Sequence, residues 1–159
     1  CGYKFDTSTV KKLVKRFPNQ IIGIKDSTYN IYEELNLENF SILPGSETKL
    51  IKGLRLGCAG IITATCNVTA ELSRKVYDDF MKNKSTIDNK KLCDVREAFE
   101  KYNLISGIHS YYLAKDKLYK NILPPLSLLS QSNHQDLKKK LNSLNFKNSP
   151  TMVAKNAIS

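Results

Sequence analysis

A lysine stands where an apolar run gives out. Ile21-Ile22-Gly23-Ile24 leads directly into Lys25 and Asp26, and Ser27-Thr28 follow. An amine at the emerging end of a buried strand is partly desolvated, and desolvation disfavours its ammonium form. A lysine that is neutral part of the time is a nucleophile, able to condense with a ketone and form an imine. The same side chain can equally end its strand and point to water, as most lysines do. Downstream, Gly45 either brings the backbone close to a ligand or simply turns the chain after Pro44. Ser46 and Glu47, in turn, read as a helix cap and a first-turn carboxylate.

These residues need elements to hold them. Asp6-Thr7-Ser8-Thr9 offers helix N-caps, and Val10, Leu13, Val14 and Phe17 follow at helical spacing until Pro18-Asn19 stops the run. Residues 21–26 read as a strand, 29–36 as a short helix, and 40–43 as a second strand closed by Pro44-Gly45. A helix from Ser46 carries Leu50, Ile51 and Leu54 to Gly57, and residues 60–65 read as a third strand. Apolar strands recurring about every twenty residues with helices between them imply a parallel sheet, as in a β/α barrel or an open doubly wound sheet. No GxGxxG or GxxxxGK[ST] occurs, so a dinucleotide or P-loop site has no support.

From about residue 69 the pattern becomes all-helical. Leu72, Val76 and Phe80 form one stripe, and Leu92, Val95, Phe99 and Tyr102 a second. Ile105, Ile108 and Tyr112 form a third, and Leu137, Leu141 and Leu144 a last one after Pro124-Pro125. The expected organisation is a β/α unit over 1–68, which the resemblance below makes a partial barrel, a helical region over 69–146 and a loose polar tail over 147–159. Asn67 reads as a loop or capping residue. His109, among Tyr102, Tyr111 and Tyr112, reads as structural.

Composition narrows the classes. The 159 residues suffice for one domain with a real core, and 41% hydrophobic with 25% charged residues is ordinary for a globular protein. No apolar run reaches the ~20 residues that span a bilayer, so no membrane role is expected. Residues 1–20 lack the apolar core of a secretory leader. The net charge of +10 is spread along the chain, and its one tight cluster, Lys138-Lys139-Lys140, sits within an amphipathic pattern. That describes a solvated surface with some attraction for acidic substrates, and nucleic acid is not expected as a partner. Cys1, Cys58, Cys66 and Cys93 form no CxxC pair and stand far from His109 and His134, so no metal is expected. Cys58 and Cys66 in apolar surroundings read as buried free thiols, which suits a cytoplasmic setting.

Taken together, four segments resemble one family, the pyruvate-dependent class I aldolases of the dihydrodipicolinate synthase and N-acetylneuraminate lyase type. Ile22-Gly23-Ile24-Lys25-Asp26-Ser27 is similar to the family's imine-forming lysine segment. Leu43-Pro44-Gly45-Ser46-Glu47 resembles the segment ending barrel strand seven. Leu56-Gly57-Cys58-Ala59-Gly60-Ile61-Ile62-Thr63-Ala64-Thr65-Cys66-Asn67 resembles the strand-eight segment, and Leu123-Pro124-Pro125-Leu126 a late Pro-Pro-Leu turn. The segments occur in the family's order and cover roughly residues 1–146.

The resemblance implies the C-terminal part of a TIM (β/α)8 barrel, about strands six to eight, followed by a helical bundle. A complete barrel takes about 250 residues. The family's carboxylate-binding segment on strand two and its proton-relaying tyrosine on strand five have no counterpart, and Cys1-Gly2 resembles the threonine–glycine just after that tyrosine. The resemblance assigns the imine to Lys25. It places Ile62 beside the lysine as an apolar neighbour, Gly45 close to the substrate, and Ser46 and Glu47 at its distal part. It implies no cofactor, pyruvate or another 2-keto acid as substrate, and a homo-oligomer, specifically a homotetramer, in lysine biosynthesis. Dihydrodipicolinate synthase is the best-fitting subfamily. Another 2-keto acid aldolase, such as 2-keto-3-deoxygluconate aldolase or N-acetylneuraminate lyase, is the alternative, the last disfavoured by Ala64 where a serine is expected. A reading of another class is a non-catalytic fragment or interaction module, with the chain inactive by itself.

Overall fold

The computed structural model describes residues 3–147. In chain order the elements are α1 (Thr7–Arg16), β1 (Gly23–Asp26), β2 (Ser41–Pro44), a 3-10 turn (Glu47–Lys49) running into α2 (Leu50–Arg55), α3 (Cys66–Met81), α4 (Asp88–Glu100), α5 (Leu104–Leu113), a second 3-10 turn (Lys117–Lys120) and α6 (Gln131–Ser143). The chain divides between Glu97 and Ala98 into two compact units. Cys1-Gly2 and all of the expected tail beyond Lys147 lie outside the described residues.

In the first unit, α1 begins at the Asp6 carboxylate, which accepts the Thr9 amide at 2.7 Å and so satisfies one of the donors a helix start leaves open. Val10 is buried and Val14 packs beside it, whereas Phe17, expected on the same stripe, closes the helix and is exposed. β1 and β2 pair in parallel, with Gly23 opposite Ser41, Ile24 opposite Ile42, Lys25 opposite Leu43 and Asp26 opposite Pro44. The two-residue period of a strand sends Ile24 and Ile42 to one face. There they join Val10, Ile31, Tyr32, Leu35 and Cys58 in one core. A second core gathers Leu50 and Leu54 of α2, Val76 of α3 and Leu92 of α4.

Two expected elements do not form. Residues 29–36 are turns rather than a helix. The Asp26 carboxylate takes the backbone amides of Thr28, Tyr29, Ile31 and Tyr32 and wraps the segment around itself in local turns. Tyr29 also adopts φ +58.

The third strand expected over 60–65 is likewise irregular. The segment runs beside β2 and donates from Ala59 to the Ile42 carbonyl and from Ile62 to the Pro44 carbonyl. A parallel ladder needs a return bond from residue 44, and proline has no N–H to give. The spacing from Ala59 to Ile62 is one residue longer than a regular ladder, and the extra residue is absorbed at Gly60, whose φ is +150. The described sheet therefore has two strands.

Helices build the second unit. Asn103 caps α5 by accepting the amides of Ile105 and Ser106. Ile108 is buried while Ile105, expected beside it, is exposed. Leu137 and Leu141 of α6 are buried together with Phe146, and the Ser110 hydroxyl accepts the Leu129 amide at 2.9 Å. The Pro124–Pro125 bond is cis. Lys138, Lys139 and Lys140 are all exposed on α6. Among the described residues no helix is long and apolar enough to cross a membrane.

Candidate active site at the strand ends

Register gathers the candidate residues at one end of the sheet. Lys25 is next to last in β1. The Gly45 amide, just past β2, donates to the Asp26 carbonyl at 2.8 Å, and the Ile62 amide donates to the Pro44 carbonyl at 3.2 Å. Lys25, Gly45 and Ile62 thus stand at the same ends of three neighbouring segments. Carboxyl ends of parallel strands are where α/β folds bind ligands. An open depression of about 400 Å3 runs along β1, lined by Tyr3, Lys4, Phe5, Ile24, Lys25 and Thr28 among others.

Within that setting the side chains differ sharply in access. Lys25 is exposed, so the burial expected around its amine is not supplied by the described residues. Ile62 is 48% exposed. Gly45 sits so close to the end of β1 that a Cβ there would meet Ser27 Oγ at 3.1 Å and Ser27 Cα at 3.2 Å, which makes it a close-approach glycine as well as a turn residue.

Ser46 is buried and caps the following turn, its hydroxyl accepting the Thr48 amide at 3.4 Å and lying 3.0 Å from the Thr48 hydroxyl. Glu47 is fully buried. Its Oε1 accepts the hydroxyls of Thr63 and Thr69 at 2.8 and 2.9 Å, and its Oε2 faces Arg96 Nη1 at 3.4 Å. Ser46 thus takes the capping place its sequence also allows, and Glu47 stands enclosed in the turn that follows.

Asp26, Thr63, Thr65, Thr69 and Arg96 do not stand out in the sequence as site residues, yet each organises the site. Asp26 turns away from the Lys25 face, is buried, and holds four backbone amides. The pattern Asp-Ser-Thr-x-Asn after a strand is a turn signal that could have marked it. Arg96 stands four residues beyond Leu92 within the apolar stripe of α4, and a charge on a buried stripe announces a buried partner.

Burial pushes the Cys58 thiol up from its ordinary range, with the Asp26 carboxylate adding to it. Cys58 is buried as expected, but Cys66 is only half-buried, and both are free thiols. Asn67 lies in the first turn of α3, not in a loop or at its cap, and its side-chain amide donates to the Ala64 carbonyl at 2.8 Å, while His109 Nδ1 lies 3.1 Å from the Tyr119 carbonyl. Among the described residues no three His, Cys, Asp or Glu side chains converge on a metal-sized site.

Known proteins with similar sequences and folds agree with one another. The model of the dihydrodipicolinate synthetase family matches residues 1–144. A curated relative, the 4-hydroxy-tetrahydrodipicolinate synthase of Desulforamulus reducens, is 28% identical over 85 residues, covering 50% of this chain and 28% of that protein. Among solved structures, the dihydrodipicolinate synthase of Agrobacterium tumefaciens superposes with a TM-score of 0.75 at 21% identity, over 89% of this chain and 50% of that one. The 4-hydroxy-tetrahydrodipicolinate synthase of Methylacidiphilum fumariolicum does so with a TM-score of 0.77 at 22% identity, over 91% and 51%. The chain spans about half the length of these solved structures, and at such identities the likeness is one of fold.

Proposed function

From the premise that this chain belongs to the dihydrodipicolinate synthetase family, we propose that it carries the imine-forming portion of a pyruvate-dependent lyase or synthase, with Lys25 as the nucleophile. The observation that carries the reading is the placement of an accessible lysine amine at the carboxyl end of β1, with Gly45 and Ile62 tied alongside.

In this mechanism the Lys25 amine attacks the ketone carbon of pyruvate or another 2-keto acid, and the adduct loses water to give an imine. The protonated imine withdraws electrons and allows a proton to leave C3, forming an enamine. The enamine carbon then adds to an aldehyde or imine, and hydrolysis frees Lys25. Run backwards, the same steps cleave a carbon–carbon bond. The Gly45 amide is engaged with Asp26, so a backbone contact to substrate from Gly45 falls to its carbonyl oxygen. Ile62 supplies an apolar flank.

4-Hydroxy-tetrahydrodipicolinate synthase is the subfamily favoured, since that is the activity for which the matched relatives are named. Another 2-keto acid aldolase uses the same first steps. The depression along β1 is open, and a barrel closes with eight strands, so we place full turnover in a protein in which further strands complete the cavity and copies assemble as a homo-oligomer. One observation favours a second reading, a non-catalytic module: the Lys25 amine is exposed, and the described residues do not bury it.

Borohydride reduction in the presence of pyruvate decides between them. The expected result is one reduced pyruvate adduct, mapped by peptide mass spectrometry to Lys25 and lost in Lys25→Arg. A Lys25 that stays unmodified at saturating pyruvate overturns the mechanism and leaves the module.

A further inference from the structure

We propose that Arg96 is a positioning residue for the candidate site: through the Glu47 carboxylate and the Thr65 hydroxyl it fixes the backbone that carries Gly45 and Ile62 beside Lys25. The proposal rests on Lys25 as the imine-forming lysine. Arg96 comes from α4, far from Lys25 in sequence, and it is 4% exposed. Its Nη1 lies 3.4 Å from Glu47 Oε2 and donates to Thr65 Oγ1 at 3.1 Å. Glu47 Oε1 accepts from Thr63 and Thr69, and Thr63 Oγ1 accepts the Cys66 amide at 3.0 Å. One buried polar cluster thereby joins the turn after β2, the segment 59–65, the start of α3, and α4.

The leverage is short. Gly45 precedes Glu47 by two residues, and Ile62 is followed directly by Thr63. The segment bearing Ile62 has no regular ladder to hold it, because Pro44 returns no bond and Gly60 bends the chain. The cluster supplies what the ladder lacks. Stability is a weak account of such a pair, since a buried ion pair replaced by apolar residues is often neutral or more stable. Charge-assisted hydrogen bonds do constrain direction, and a displacement of about 1 Å at a reacting group can cost on the order of a hundredfold in rate.

The test uses the double variant Glu47→Gln/Arg96→Met, which removes both buried charges together, and Arg96→Lys, which keeps a donor. Two readouts are compared in the whole chain: amide hydrogen exchange, and the rate of Lys25 trapping by pyruvate and borohydride. In the double variant, exchange at Gly45 and Ile62 is expected to quicken about tenfold, the scale of one lost charged hydrogen bond, while Val76 and Leu92 amides keep their protection. Trapping at Lys25 is expected to slow about tenfold, and Arg96→Lys returns both readouts most of the way. Exchange that quickens equally at all four amides shows that the pair only holds the fold, and overturns the proposal. So does unchanged exchange at Gly45 and Ile62, or quickened exchange with unchanged trapping. Should the double variant not fold, Arg96→Lys carries the same readouts against the parent chain. An absent adduct in the parent sinks the imine reading, and the exchange pattern alone then decides whether Arg96 holds these two backbones.

Discussion

Asp26 adjoins Lys25 in sequence and turns to the opposite face of β1. Its two carboxylate oxygens divide four amides between them, Thr28 and Tyr29 on Oδ1 and Ile31 and Tyr32 on Oδ2. An asparagine in its place keeps one acceptor oxygen and aims an amide NH2 at donors. Asp26→Asn is expected to lower unfolding stability by about 2–4 kcal/mol, because buried donors left without partners are costly. Denaturant titration with an unchanged slope is the check. A loss below about 0.5 kcal/mol would mean that the amides find other partners, and that Asp26 does not organise the turn. Lys25 was legible in the sequence because a charged residue at the end of an apolar run is conspicuous. Asp26 was not, because its partners are backbone groups that no residue type advertises. The enclosure of Glu47 was hidden for a related reason. Nothing near it in sequence shows that Thr63, Thr69 and Arg96 close over it.

At the scale of elements, amphipathic spacing located every helix that packs through its own face, and it failed where side chains or proline compete for backbone donors. The spacing of Ile31, Tyr32 and Leu35 looks helical and all three are buried, yet Asp26 holds their segment in turns. Residues 60–65 look like a strand by composition, and Pro44 denies them a ladder. The start of α1 was legible because Asp6-Thr7-Ser8-Thr9 advertises its own caps, and its chemistry has a measurable consequence. The Ser8 hydroxyl, followed by the Thr9 amide and hydroxyl, pulls the Asp6 carboxyl down to about 2. A carboxyl lowered in the folded state contributes stability above its unfolded value of about 3.9, and that contribution fades as pH falls toward about 2. Comparing thermal unfolding of the parent with Asp6→Ala should therefore show a parent advantage at pH of about 6 that shrinks below pH about 4 and closes near pH about 2. A gap that is constant across that range would remove the Asp6 charge from the capping account.

For the whole molecule, three apolar runs at a regular interval made the α/β class and parallel pairing readable. The width of the sheet was not, since strands are completed by hydrogen bonds to residues remote in sequence. Among the described residues β1 has a neighbour on one edge only, and Ile22, which leads into it, is 65% exposed, as is Tyr3. An unpaired edge beside exposed apolar residues favours pairing with another chain. Opposing this is the net charge of +10, which makes copies of the chain repel one another. The balance is set by salt, because the screening length falls from about 30 Å at about 0.01 M to about 8 Å at physiological strength. Light scattering on the eluting chain is expected to give the mass of one chain at low salt, rising with salt and with concentration. Ile22→Lys, which adds a charge at an exposed apolar position leading into β1, should move the rise to higher salt. A nucleic-acid role for the same charge predicts the opposite trend, binding that weakens steeply as salt increases. A single-chain mass at every salt concentration would show that the open edge is too short or too well guarded by its lysines to recruit a neighbour.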